Sequence, residues 1–193
     1  MRIIAATQNA HKLEEIYAII KDFDMELVSQ KDVGLGDVDV EENGSTCEEN
    51  SFIKASAICR LTGEPAVADD TGLFVDALGG EPGVNSARYS GVHGDDSANK
   101  KKLLKGMENV PYEQRTACFV TVITLVYPDG RKLVARGECH GHISEEERGT
   151  RGFGYDSVFV PEGSDKTFAE LPEGFKNSIS HRAKALEKLR QLL

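Results

Sequence analysis

The chain has 193 residues, no tryptophan, and 23 Lys+Arg against 32 Asp+Glu, giving a formal net charge of −9. That balance disfavours a nucleic-acid partner, since neutralising phosphates with Lys and Arg supplies most of such affinity; no run reaches the ~18–20 apolar residues needed to cross a bilayer, so no membrane partner is expected either. A chain of this size buries roughly 70% of its unfolded surface, enough for a core without disulfides or a structural metal, and a single domain over 1–193 is expected.

Residues 2–6 form a short apolar run that reads as a strand, and polar residues follow with no leader pattern, which points to a cytoplasmic protein. Leu13, Ile16, Tyr17 and Ile20 then recur at helical spacing behind Asn9, whose side chain suits an N-cap. Residues 25–29 read as a second strand, 31–43 as an acidic loop, and about 47–61 as a helix. Residues 66–69 form a short strand of the buried type that ends at Asp70-Thr71-Gly72. Glycines cluster through 79–83 as a turn, and 95–107 reads as a polar helix. The β-branched and aromatic run 115–127, turned by Pro128-Asp129-Gly130 and answered by 132–139, predicts a hairpin. A further strand is expected at 157–160 and a final helix at 179–193. Strand and helix first, hairpin later, predicts an α/β protein with a mixed sheet. The four cysteines, Cys47, Cys59, Cys118 and Cys139, contain no C-x-x-C pair. Only Cys139-His140-Gly141-His142 hints at a metal, and reduced, buried thiols are the expectation.

Four constellations could carry chemistry. Thr7-Gln8-Asn9-Ala10-His11-Lys12 lies between the first strand and the first helix. A helix N-terminus offers unpaired N–H groups and partial positive charge, which suit phosphate. Thr7 and Asn9 could add side-chain donors and Lys12 a full charge; read alone, the segment is better described as an ordinary cap with a solvated lysine. Asp69-Asp70-Thr71-Gly72-Leu73 places two carboxylates side by side, which gains little unless a cation or proton is shared. Mg²⁺ takes one or two carboxylates plus substrate phosphates, and Glu42 in Glu41-Glu42-Asn43-Gly44 could bring a third; an acidic turn on a solvated edge is the other reading. Gly152-Phe153-Gly154-Tyr155-Asp156 suits a backbone that approaches a flat ring, with Phe153 available to stack. Lys176 followed by Ser180-His181-Arg182 concentrates donors at a helix start, which by itself can also be a cap.

Taken together, these segments resemble the inosine/xanthosine triphosphate pyrophosphatases. The resemblance rests on Thr7-x-Asn9-x-x-Lys12, Glu42-x-Gly44 with Asn50, Ala68-Asp69-Asp70-Thr71-Gly72-Leu73, Gly79-Gly80-x-Pro82-Gly83 with Ser86-Ala87-Arg88-Tyr89, Gly152-Phe153-Gly154-Tyr155-Asp156 and Ser180-His181-Arg182. They run in family order over nearly the whole chain. The resemblance implies hydrolysis of ITP, dITP and XTP to monophosphate and pyrophosphate with Mg²⁺, removing them from the nucleotide pool. It implies an elongated α/β fold whose mixed, twisted sheet and flanking helices form two lobes around a central cleft, and a homodimer.

Residue by residue, it implies a triphosphate cradle from Thr7 to Lys12, including Gln8, Ala10 and His11, with Lys12 catalytic. Asp70 is implied as catalytic base and metal ligand, with Glu42 and Asp69 as further ligands and Thr71 in place of the usual Ser. Phe153, Gly154, Tyr155, Asp156, Lys176, His181 and Arg182 are implied as the base and sugar pocket. Donors there would meet the 6-carbonyl of hypoxanthine or xanthine and go unpaired against adenine. The chain departs from the family pattern at Cys47, where Phe is common, at Arg151, where Gly is common, and at Ser157, where Pro is usual. Two rivals stay open: a related pyrophosphatase of modified pyrimidine triphosphates, against which Ser180-His181-Arg182 argues, and a non-catalytic nucleotide-binding protein with the hairpin as its binding edge.

Overall fold

The computed structural model describes residues 1–20 and 25–193. Its strands are β1 (Arg2–Ala5), β2 (Glu26–Ser29), β3 (Ala66–Val75), β4 (Pro82–Gly83), β5 (Thr116–Val126), β6 (Lys132–Ile143) and β7 (Phe159–Pro161). Its helices are α1 (Ala10–Ile20), α2 (Cys47–Thr62), α3 (Asp96–Gly106), α4 (Glu173–Ile179) and α5 (His181–Leu192). The strands lie in the order β2-β1-β3-β5-β6-β7, with β4 paired to β3. β1 runs parallel to β2 and β3, whereas β3–β4 and β6–β7 are antiparallel, so the sheet is mixed, as the element order predicts.

The chain divides into two compact units, each assembled from separated segments. The first comprises Met1–Asp70, Thr121–Gly137 and Arg182–Leu193; the second comprises Thr71–Val120 and Glu138–His181. In the first, strand alternation sends successive side chains to opposite faces. Ile3, Val67, Ile123 and Leu125 pack with Ile16 and Ile20 of α1 and with Ala185, Leu186 and Leu189 of α5. Their neighbours Ile4, Ala66, Ala68 and Val126 pack with Ala55, Ile58 and Cys59 of α2. Both faces of this sheet are therefore covered, which is why its strands read as continuous apolar runs. Thr46 caps α2 by accepting from the Glu49 N–H, and Gly63 ends it in the left-handed conformation.

The second unit is built on Leu73, Val75, Leu103, Met107, Phe119, Ile143, Phe159 and Phe168. The buried Arg115 guanidinium donates to the carbonyls of Met107, Ile143 and Ser144 at 2.8 Å each, tying α3's end and β6 to the start of β5.

Three expectations are corrected. The strand expected at 66–69 continues to Val75, because Leu73 and Val75 resume the buried alternation and Gly72 lets β4 approach; a Cβ there would stand 2.7 Å from the Gly83 carbonyl oxygen. The carboxylates Asp69 and Asp70 thus lie within a strand and not at its end. The helix expected at 179–193 begins at His181, since Ser180 is extended and separates it from α4, a seven-residue helix whose sequence carries no stripe.

Candidate active site

Alternation also sorts the two carboxylates. Asp69 shares the face of Val67, covered by α1 and α5, and Asp70 shares the face of Ala68, covered by α2. Asp69 is 2% exposed, and its Oδ2 accepts from Arg182 Nη2 at 2.9 Å with Lys12 Nζ at 3.2 Å. Arg182 Nη1 donates in turn to Glu15 of α1, so one buried guanidinium joins two carboxylates. Burial works against the Asp69 carboxylate, but Lys12, Arg182 and Lys54 outweigh it and hold its pKa well below the usual range. Burial lowers Lys12 from its ordinary value against the pull of Asp69.

Asp70 has different company. Its Oδ1 lies 3.6 Å from Lys54 Nζ, and Asn50 Nδ2 donates to its Oδ2 at 3.4 Å. Lys54 also reaches Glu42 Oε1 at 3.0 Å, bringing the 31–43 loop to the same face. Burial raises the Asp70 pKa; Lys54 and Lys12 oppose the rise, and Glu42 and Asp69 add to it. Lys54 itself loses by burial but is raised overall by Asp70 and Glu42. Cys47, where the family pattern commonly has Phe, is buried beside this carboxylate. Its thiol is pushed up to about 12, by burial first and then by Asp70, to which it hydrogen-bonds.

The α1 entry is an ordered cap. Asn9 Oδ1 accepts from the Lys12 N–H at 3.1 Å, and Thr7 Oγ1 accepts from the Asn9 N–H at 3.2 Å. Ala10 opens the helix, and His11 is exposed beside Glu14. Gln8 is engaged elsewhere, since its Nε2 donates to the carbonyls of Gly36 and Val38 and so fastens the acidic loop.

In the second unit, Thr71 begins its half of β3. The 152–156 loop is closed on itself: Asp156 Oδ2 accepts from the Phe153 N–H at 3.0 Å and from Lys176 Nζ at 2.6 Å. Gly152 has φ +73°, and a Cβ there would meet Asp156 Oδ2 at 2.0 Å, so this turn admits only glycine. Gly154 N–H donates to Asp96 at 2.7 Å, and the buried Tyr155 hydroxyl donates to the Ser86 carbonyl at 2.7 Å. Lys176 Nζ lies 5.3 Å from the centroid of the half-buried Phe153 ring. His181 is buried, stacked on Phe119 with centroids 4.5 Å apart.

The structure therefore groups Lys12, Asp69 and Arg182, then Glu42, Asp70 and Lys54, and separately Phe153, Asp156 and Lys176. Two of the expected residues have close partners of their own. Arg182, expected in the base and sugar pocket, pairs with Asp69 and Glu15, because α5 starts one residue before it and turns its side chain onto the α1 face. Asp69, expected as a metal ligand, is neutralised by two cations; among the described residues Glu42, Asp69 and Asp70 do not converge as a three-ligand cluster. Glu42 and Asp70, oxygen donors drawn toward one point by Lys54, are the pair suited to a hard divalent ion. Sequence reading missed Lys54 and Glu15. Their signals were helical spacing: Lys54 lies four residues after Asn50, and Glu15 three after Lys12.

Known proteins resemble the chain over its whole length. The dITP/XTP pyrophosphatase of Clostridium perfringens is 48% identical, with 100% of this chain and 97% of the relative covered. That of Geobacter sulfurreducens is 49% identical over 100% of this chain and 96% of the relative. Among solved structures, the HAM1 protein from Coxiella burnetii matches with a TM-score of 0.89 and 39% identity, covering 100% of this chain and 98% of that one. The Staphylococcus aureus Ham1 protein matches with 0.86 and 38%, covering 100% and 97%. The family model described as Ham1 family matches residues 3–192, and the chain belongs to the Ham1 family.

Proposed function

We propose that the protein hydrolyses non-standard purine nucleoside triphosphates, XTP, ITP and dITP, to the monophosphate and pyrophosphate. The observation that carries the reading is the separation of the two adjacent carboxylates: Asp69 is a neutralised anchor, while Asp70 keeps a raised pKa beside Glu42 and Lys54. Water attacks the α-phosphorus, and Asp70 takes its proton as the phosphorus–oxygen bond to pyrophosphate breaks. Asp69 is taken up by Lys12 and Arg182, which makes Asp70 the better placed base of the two, and a positioned base contributes about 10²–10⁴-fold. Asp69 fixes Lys12, whose ammonium, with the N–H groups at the start of α1, balances the triphosphate charge. Lys54 holds Glu42 and Asp70 together.

Glu42 and Asp70 would hold Mg²⁺. Their all-oxygen donor set fits it, and the raised Asp70 pKa marks negative charge that a cation would stabilise. When bound, the ion would supply positive charge to phosphate oxygens. Isothermal titration should show Mg²⁺ binding that weakens in Glu42→Gln.

For the base, Phe153 offers a ring face and Lys176 a donor to the 6-carbonyl, and the Asp156–Lys176 pair keeps this loop in place; His181, stacked on Phe119, completes the proposed pocket. An orphaned donor costs about 1–3 kcal/mol, so adenine is disfavoured roughly 10–10²-fold per donor. Arg182 directs its donors to Glu15 and Asp69 and serves the site as an anchor. The protein acts as a homodimer in the cytoplasm under this reading; its four cysteines carry no disulfide, and no described helix is long and apolar enough to cross a membrane. Pyrophosphate release measured across XTP, ITP, dITP, GTP and ATP tests the proposal. Hydrolysis of ATP at the rate of XTP would overturn it, and light scattering of the eluted protein tests the dimer.

A further inference from the structure

The Cys139-His140-Gly141-His142 hint resolves differently from its spelling. On β6 the odd positions turn inward, so Cys139 lies in the core of the second unit at 4% exposure, while Glu138 and His140 lie on the outer face. The thiol that joins them comes from the neighbouring strand. Cys118 Sγ, a Glu138 carboxylate oxygen and a His140 imidazole nitrogen all lie within 4.8 Å of one another, and His140 Nε2 is 3.5 Å from Glu138 Oε2.

We propose that Cys118, Glu138 and His140 bind one borderline divalent transition ion, of which Zn²⁺ is the commonest. Thiolate, imidazole and carboxylate are the donors such an ion takes at about 2.0–2.3 Å, in tetrahedral sites with their atoms roughly 3.3–3.8 Å apart. The three ligand atoms already lie within 4.8 Å of one another, so binding would draw them together by about 1 Å. Three protein ligands leave a fourth position to water. His142, next on the same face, is stacked on Tyr112 at 5.4 Å between centroids and stays out of the set. The thiolate selects Zn²⁺ or Co²⁺ over Mg²⁺, so this site differs in kind from the all-oxygen pair Glu42 and Asp70. Binding releases the thiol proton to solvent. The proposal stands independently of the nucleotide reading.

Co²⁺ titration of the full-length, reduced protein in excess Mg²⁺ tests it. The expected result is a single equivalent bound with a thiolate-to-cobalt charge-transfer band in the near ultraviolet, displaced by one equivalent of Zn²⁺. Cys118→Ser should abolish the band, and His140→Ala should weaken binding by more than about 100-fold, beyond the cost of losing an outer-shell partner. Cys139→Ser should leave both unchanged, and circular dichroism verifies that each variant folds. Absence of the band in the folded wild-type protein, its persistence in Cys118→Ser, or undiminished affinity in His140→Ala would each overturn the assignment.

Discussion

Replacing Arg182 by Met tests the electrostatic anchor of the first unit. The side chain is 2% exposed and its guanidinium joins Asp69 and Glu15, both buried, so the substitution keeps most of the volume, takes the guanidinium from Glu15 and leaves Asp69 with Lys12 alone of its two close cations. Removing one partner of a buried ion pair typically costs about 3–5 kcal/mol, because the remaining charge lies uncompensated in low dielectric. For a chain of this length each kcal/mol shifts Tm by about 2–4 °C, which gives an expected fall of about 6–20 °C by scanning calorimetry at neutral pH. The pH dependence has a definite sign. With Arg182 present, the Asp69 pKa in the fold lies below its ordinary 3.8, so the paired carboxylate stabilises the fold above that value and its contribution is lost as pH falls below it. Without Arg182, the Asp69 pKa rises toward the value that burial favours, with Lys12 still opposing the rise, so the folded variant takes up a proton earlier and the Tm gap to wild type narrows toward pH 5. The double variant Glu15→Gln, Arg182→Met removes the carboxylate that loses its guanidinium and should recover at least half the loss, since Asp69 keeps Lys12. A Tm change under about 2 °C, or a gap that stays constant from pH 7.5 to 5, would refute the assignment of Arg182 as an electrostatic anchor.

Other outcomes follow from single contacts. Alkylation of the native protein should label one cysteine of four: Cys118 is half-exposed, whereas Cys47, Cys59 and Cys139 are buried and the Cys47 thiol is pushed up to about 12. Mass spectrometry of the digested adduct checks this, and rapid native labelling of Cys47 would contradict its burial beside Asp70. Gly152→Ala should raise KM for XTP by tenfold or more, because the left-handed turn and the 2.0 Å approach to Asp156 both resist a Cβ; an unchanged KM would remove the 152–156 loop from base recognition. Lys54→Met should lower Mg²⁺-supported turnover while leaving Lys12 paired with Asp69, and unchanged kinetics would show that Glu42 and Asp70 need no cationic side chain between them.

Much of this was legible in the sequence because the informative signals were local. The Asn9 cap, the helix expected at about 47–61 and the long hairpin depend on neighbours a few residues away, and each is observed, the helix as Cys47–Thr62. The Ham1-family relationship was legible for a different reason, since motifs in fixed order along the chain carry more information than any one of them. What escaped reading depended on distant partners. Arg182 reads locally as a helix start, yet its partner Asp69 is 113 residues away. Nothing within 20 residues announces that alternation will place one carboxylate under α1 and α5 and the other under α2. The parity itself was available at Asp69-Asp70; it acquires meaning only once both faces of β3 are known to be covered. The seven-residue α4 escaped because a helix that short shows no stripe.

The most direct measurement is Mg²⁺-dependent pyrophosphate release from XTP, ITP and ATP by the wild-type protein and by Asp70→Asn. The expected result is release from XTP and ITP exceeding that from ATP by at least tenfold, with Asp70→Asn folded, by circular dichroism, and slower by about 10²–10⁴-fold. A folded Asp70→Asn variant that keeps more than a tenth of the wild-type kcat would contradict the role assigned to Asp70.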